Sequence, residues 1–263
     1  MTKEDIDSTE APLLDHLIEL RTRLIYCIIG IVLAFAISFY FSSDILRLLI
    51  LPFRWGTGGE VQLISIKLLG VFFVKLKIGL FGALFVTFPL IAIQIYRFVA
   101  PGLYSNERNA FRPYLVATPV FFLLGAALVY FFLLPVAIHF FYALAAGTAG
   151  DGQKPIDLMP DIESYLDFVM MLILAFGLCF QLPVILTLLG QIGIVNYAML
   201  KSGRKFAVVG VFVVAAILTP PDPISQISMA VPLMGLYEIA VQAVRFIERR
   251  RAKAEAAKDA AAS

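Results

Sequence analysis

The chain has 263 residues, of which 60% are hydrophobic and 15% charged, with a mean hydropathy of +0.89. Soluble proteins run at roughly 45–50% apolar and about 25% charged, so a water-soluble fold could not hide this much hydrocarbon; composition predicts an integral membrane protein and excludes a disordered chain or a disulfide scaffold. The net charge of +2, from 21 Lys+Arg against 19 Asp+Glu, lacks the basic excess of a nucleic-acid binder, and no nucleic-acid partner is expected.

A spanning helix needs roughly 20 apolar residues. The first run, Leu24 to Phe41, is uncharged and follows the segment 13–24, whose apolar stripe at Leu13, Leu17, Leu20 and Leu24 has helical spacing. An amphipathic helix is therefore expected to run straight into the first crossing. A cleaved signal peptide is the competing reading, but 18 apolar residues exceed the usual 7–15 and no small-residue cleavage site follows. The segment from Ser43 to Trp55, which includes Pro52, reads as an amphipathic helix packed on the outer leaflet. The second run, Ile78 to Tyr96, contains Pro89.

The third stretch, Tyr114 to Ala146, contains Pro119 and Pro135 and is too long for one straight crossing at about 1.5 Å per residue. The expectation is a helix to about Pro135 and then an extramembrane return through His139 and Tyr142. The acidic run Asp157, Asp161, Glu163 and Asp167 is expected to cap a fourth crossing, Tyr165 to Leu189, which carries Gln181 and Pro183. Phe206 to Leu218 and Ile227 to Tyr237 are shorter. Thr219-Pro220-Pro221-Asp222-Pro223 between them cannot continue a helix, so they read as a hairpin of two short spans.

The predicted fold is thus all-α, a polytopic membrane protein with six transmembrane helices, the last two short. Five prolines within the crossings are expected to kink the helices and curve the bundle. Residues 1–245 form one transmembrane domain and residues 246–263 a basic, Ala-rich tail. Six crossings put both termini on one side, and fifteen of the 21 cations fall there. The bias sets both termini in the cytoplasm, with the tail's basic cluster able to rest on anionic lipid headgroups.

Few chemistries fit the polar residues. Cys27 and Cys179 lie in apolar runs and read as small hydrophobes, not a disulfide or metal pair. His16 and His139 have no partners at ligand spacing, and there is no phosphate-binding glycine motif or H-E-x-x-H. No metal, no cofactor and no enzymatic turnover are expected. The polar features cluster at the cytoplasmic face. Glu19 and Arg23 are four apart in the acid-first order, which by itself fits an intrahelical ion pair. Pro101-Gly102 is a turn signal, Ser105 can cap the helix that follows, and Glu107 then fits a capping role near its N-terminus.

The residues also carry a resemblance. The run His16-Leu17-Ile18-Glu19-Leu20-Arg21-Thr22-Arg23-Leu24 is similar to the N-terminal signature of the TatC family of twin-arginine protein translocase subunits. The likeness continues through Leu51-Pro52, Phe98-x-x-Pro101-Gly102-Leu103-Tyr104-x-x-Glu107-Arg108, Ser164-Tyr165-Leu166, Ala175-Phe176-Gly177 and Phe180-Gln181-Leu182-Pro183-Val184. It closes with Leu218-Thr219-Pro220-Pro221-Asp222 and Ser225-Gln226. These strings fall in order over about nine tenths of the chain.

The resemblance implies six spans, a bacterial inner-membrane location, and a receptor for the paired-arginine signal peptides of folded export substrates, driven by the proton motive force. It implies Glu19 and Glu107 as recognition carboxylates, with Arg21 and Phe98 in the same patch. It further implies that Gln181, Gln226 and the short hairpin face single-span partner subunits, and that the chain self-associates in a larger complex; Pro52, Pro101 and Asp222 mark structural loops. In relatives the position of Gln181 is often Glu. On this chain's own residues, Gln181 equally suits an interhelical hydrogen bond and Asp222 a helix cap.

The physics suits the implied role, because a guanidinium is a permanently charged planar fork that a carboxylate can meet bidentately. The alternative, a small-molecule secondary transporter, calls for a midplane site built by broken helices, usually with internal repeats; neither is evident in the sequence.

Overall fold

The computed structural model describes residues 3–59, 63–99, 112–147, 159–218 and 223–262. They form the helices α1 (Lys3–Tyr40), α2 (Ser42–Thr57), α3 (Gly70–Val99), α4 (Arg112–Leu128), α5 (Leu134–Gly147), α6 (Ile162–Cys179), α7 (Leu182–Ile192), α8 (Tyr197–Leu218) and α9 (Pro223–Ala262). A π-turn, Val129–Leu133, joins α4 to α5. The chain divides into two compact units, residues 1–46 with 72–115 and residues 47–71 with 116–263.

Among the described residues, five stretches are long and apolar enough to cross a bilayer: His16–Tyr40, Gly70–Phe98, Pro113–Ala145, Ile162–Ile192 and Gln226–Lys253. In hydrocarbon each backbone N–H and C=O must be satisfied within the protein, which is why the apolar runs fold as helices. Every 18-residue window of α8 includes Lys201, Arg204 and Lys205, so that helix falls outside the five.

In the first unit, α1 continues from its polar start through Phe35 and Phe39 without a break, as its pattern predicts. Leu24, Ile28, Val32 and Leu33 of α1 stand exposed, a lipid-facing surface. Small residues let α3 approach α1: a Cβ on Gly82 would stand 2.9 Å from the Ser38 side chain, and one on Gly79 3.1 Å from the Phe35 ring. Backbone approach at small residues is the usual source of helix affinity in lipid, where apolar burial drives nothing.

The second unit shows what its prolines and glycines do. Pro52 has no N–H, so the carbonyl of Leu48 has no donor in α2. The Tyr130 hydroxyl donates to that carbonyl at 2.7 Å, and the Tyr165 hydroxyl donates to the neighbouring Leu49 carbonyl at 2.9 Å. The amphipathic reading of α2 holds: Leu49, Pro52, Phe53 and Gly56 are buried, while Arg47, Leu48, Arg54 and Trp55 are exposed. A Cβ on Gly56 would meet Ile138 at 2.7 Å. Gly58 ends α2 with a φ of +66°, a left-handed conformation that glycine takes freely. Beyond it, Ile64 pairs with Asp161 in an isolated parallel bridge, and Lys67 reaches Glu163 at 3.0 Å.

α4 and α6 cross where Gly125 and Gly177 meet Phe176, Phe180 and Phe122. A Cβ on Gly125 would lie 2.7 Å from the Phe176 carbonyl, and one on Gly177 would overlap the Phe122 ring. α9 packs along α7 and α8, with Leu200, Tyr237, Val241 and Val244 at the centre of that seam.

Two expectations are corrected, at Pro135 and in the last span, and one is refined at Pro183. The third stretch does not stop being helix at Pro135; helix continues through His139 and Tyr142 to Gly147. The π-turn just before Pro135 explains why: Leu134 donates to the Val129 carbonyl, five residues back. That wider turn accommodates a ring that would clash with the carbonyl four residues earlier. The fourth crossing is present as one apolar stretch, Ile162–Ile192, with the interruption expected of its proline: Gln181 donates its N–H only three residues back, to Leu178, and Pro183 stands in the first turn of a second helix. The last span is not short. α9 runs 40 residues, passes Glu238 and Arg245, and carries Pro232 inside it. Glu238 continues the helix because its carboxylate is met by Arg204 and Gln242. The acidic run behaves as expected where it is described: Asp161 caps α6, accepting from the Ser164 N–H at 3.0 Å.

Candidate functional site

The polar residues of the first unit converge where the amphipathic part of α1 faces the end of α3. His16, Glu19 and Arg23 follow one another at spacings of three and four, one helical stripe. Gln94 and Phe98 are four apart on α3 and form the opposing stripe. Arg23 Nε donates to Glu19 Oε1 at 3.0 Å, its Nη2 reaches the same oxygen, and its Nη1 donates to Gln94 Oε1 at 3.3 Å. The other carboxylate oxygen, Oε2, stands 3.8 Å from His16 Nδ1. The His16 ring stacks on Phe98 with centroids 4.2 Å apart and planes 17° from parallel. The Glu19 side chain is 33% exposed and that of Arg23 20%, so the carboxylate sits at a surface it shares with water.

The ion pair expected between Glu19 and Arg23 is therefore present, and Phe98 comes to the same place through His16. Arg21 does not. It is exposed, and residues two apart on a helix do not share a face. Glu107 and Pro101 lie outside the described residues, as does Asp222. Sequence reasoning missed Gln94 and gave His16 no role beyond a rejected metal site. The available signal was Gln94 itself, a lone amide in an apolar run one turn before Phe98.

The polar residues of the second unit are placed differently. Gln181 is buried, 6% exposed; its Nε2 donates to the Thr118 carbonyl at 3.0 Å and, more weakly, to the Gly177 carbonyl at 3.4 Å. Its Oε1 is buried without a donor. The interhelical bond open to this amide is thus formed, α6–α7 to α4, and half of the amide is left unsatisfied. Gln226 donates to the Phe212 carbonyl of α8 at a long 3.4 Å. Pro52 is buried in α2 against the second unit, as described above.

Helices of this length and hydropathy define a multi-pass helical membrane protein, and the polar site at the α1–α3 end offers a carboxylate already met by a guanidinium. The model of the Sec-independent protein translocase protein (TatC) family matches residues 15–232. The chain is 41% identical over 251 residues to a Sec-independent protein translocase protein TatC of Magnetococcus marinus, covering 95% of this chain and 90% of that one. It is 38% identical over 235 residues to the Escherichia coli K12 protein of the same name, with 89% and 88% covered. A crystal structure of a twin-arginine translocase receptor TatC superposes with a TM-score of 0.76 at 36% identity, covering 89% of this chain and 99% of that one. The chain belongs to the TatC family; it is a component of the Sec-independent protein translocase, and the solute-transporter alternative gives way to that assignment.

Proposed function

We propose that this chain is the receptor that binds the paired-arginine signal peptide of folded precursors, with Glu19 and Glu107 as the carboxylates that meet the two guanidinium groups. The observation that carries this reading is the occupancy of Glu19. A guanidinium, that of Arg23, sits on Oε1, so the site has the shape and charge that such a group needs. Oε2 faces only His16 among the described residues and is the edge left for an incoming arginine. The stacked His16 and Phe98 rings give a planar cation a surface on which to lie. Arg21, on the opposite face of α1, belongs to the surrounding surface and not to the carboxylate.

In the same reading the chain crosses the membrane six times, α8 adding the fifth crossing in chain order and α9 making the sixth, and both termini are cytoplasmic, following the fifteen-to-six placement of cations. Gln181 and Gln226 contact single-span partner subunits. Gln181, whose buried Oε1 lacks a donor, and Gln226, whose bond to Phe212 is long, both have hydrogen-bonding capacity left for a partner. Pro52, Pro101 and Asp222 shape the connecting loops, the complex self-associates, and the proton motive force drives export.

The test is photocross-linking of the membrane-embedded protein to a precursor whose signal carries either two arginines or two lysines. Cross-linking to the arginine form, its loss with lysines, and its loss when Glu19→Ala and Glu107→Ala are combined are the expected results. Equal cross-linking of both signals, or full cross-linking to the double variant, overturns the assignment.

A further inference from the structure

One guanidinium ties α1 to α3 at the candidate site. Arg23 directs two donors at a single oxygen of Glu19, Nε at 3.0 Å and Nη2 beside it, and a third, Nη1, at Oε1 of Gln94 at 3.3 Å. Gln94 stands half-buried one turn before Phe98, and among the described residues Arg23 is its polar partner. Its neighbours Ile91, Ala92, Ile93 and Ile95 are apolar, and a lone amide among them costs free energy unless it is bonded.

A carboxylate oxygen offers two lone pairs, and Arg23 takes both of those on Glu19 Oε1. A fork-to-fork contact with an incoming arginine needs a lone pair from each of the two oxygens. Oε2 can supply its share at once, whereas Oε1 can do so only if Arg23 withdraws an N–H. The Arg23 side chain is 20% exposed, so a withdrawn N–H has little water to turn to, and a buried donor without an acceptor is costly. The carbonyl oxygen of Gln94 also has two lone pairs, of which Nη1 uses one. The guanidinium can therefore leave the carboxylate while the amide still holds it.

We propose that Gln94 is a positioning residue of the receptor site, the second seat to which Arg23 withdraws when an arginine of the signal peptide takes both oxygens of Glu19. The proposal rests on the reading of Glu19 as a recognition carboxylate. Gln94 does not meet the signal; it acts through Arg23 and lowers the cost of opening the resident pair. Because the amide is neutral it holds a guanidinium more loosely than a carboxylate would, which leaves the Glu19–Arg23 pair closed while no signal is bound.

The test is titration of the full chain in detergent with a labelled paired-arginine peptide at low ionic strength, read by fluorescence anisotropy. Gln94→Met keeps the length of the side chain and loses the acceptor, so Kd should rise about threefold, part of the value of one hydrogen bond to a charged group. Gln94→Glu keeps an acceptor, and its Kd should be no higher than that of the unaltered chain. In an Arg23→Gln background Gln94→Met should change nothing, because no guanidinium is left to seat. A rise that persists without Arg23, or equal weakening by Gln94→Met and Gln94→Glu, overturns the proposal, since a residue that only packs would give either. An unchanged Kd in Gln94→Met does so too. Glu19→Ala measured alongside separates the two levels of the argument. If it weakens binding while Gln94→Met does not, the second seat alone is wrong; if neither changes Kd, the recognition role of Glu19 falls and the seat with it.

Discussion

Removing the Glu19 carboxylate should weaken signal-peptide binding by an amount the geometry bounds. A charge-assisted hydrogen bond contributes about 1.5–3 kcal/mol. Against this, Glu19 is already engaged: Arg23 holds Oε1, and an intrahelical pair of that kind is worth about 0.3–0.5 kcal/mol, which binding must partly surrender. The net loss for Glu19→Ala is then about 1–2.5 kcal/mol, or roughly 5–70-fold in Kd. Glu19→Gln keeps an acceptor oxygen and loses only the charge, so it should fall in the lower part of that range.

Arg23→Gln runs the other way. It removes the resident competitor and should tighten binding by about twofold, the value of the pair it deletes. Fluorescence anisotropy of a labelled paired-arginine peptide on detergent-solubilised protein reads all three. The measurement belongs at low ionic strength and again at about 0.15 M, where an exposed charge contact is screened. Unchanged affinity in Glu19→Ala at low salt would refute the reasoning. Weaker binding in Arg23→Gln would show that Arg23 orders the carboxylate instead of competing for it.

Three further outcomes follow from the packing. Gly177→Ala places a methyl against Phe122, whose Cδ2 is 2.6 Å from the new Cβ and whose ring is 2% exposed; a loss of about 1–3 kcal/mol in unfolding free energy is expected, checked by thermal unfolding, with Phe122→Leu in the same chain restoring part of it. Gln181→Leu deletes one hydrogen bond and one unsatisfied buried oxygen, terms of similar size. Its thermal midpoint should stay close to that of the unaltered chain while pull-down of a single-span partner falls; a large drop in the midpoint would make Gln181 a stability residue. Backbone and side-chain donation from Ser164 holds the Asp161 carboxyl below the usual carboxylate range. A depressed folded-state value contributes stability above the unfolded value near 3.9 and loses it as pH falls through the folded one. Asp161→Asn, still an N-cap, should narrow the difference in thermal midpoint between pH 7 and pH 3, and an unchanged difference would mean the cap does not titrate as argued.

Much of the helical layout is legible in residue order because each apolar run has to satisfy its own backbone. Lengths and polar punctuation therefore place α1, α2 and α3 correctly. Legibility fails where a proline interrupts. Pro135 and Pro183 look alike in sequence, yet a π-turn carries the chain past the first while the second opens a new helix. No local pattern distinguishes them, since the outcome depends on what the freed carbonyls can find nearby. Glu238 misled in a similar way: a charge that looks like a helix end stands in the middle of α9, half-exposed, where Arg204, 34 residues away, meets it.

What residue order determines alone is the solvent of this chain, the approximate extent of its helices, and the family whose strings it carries in sequence. Only tertiary structure decides which polar groups meet. Gln94 reaches Arg23 across 71 residues, Tyr130 serves the carbonyl that Pro52 strips of its donor, and Gln181 finds Thr118. The physical reason is that a helix's own period sets which residues share a face, whereas the height at which two helices cross is set by where glycines such as Gly82 and Gly177 let them touch.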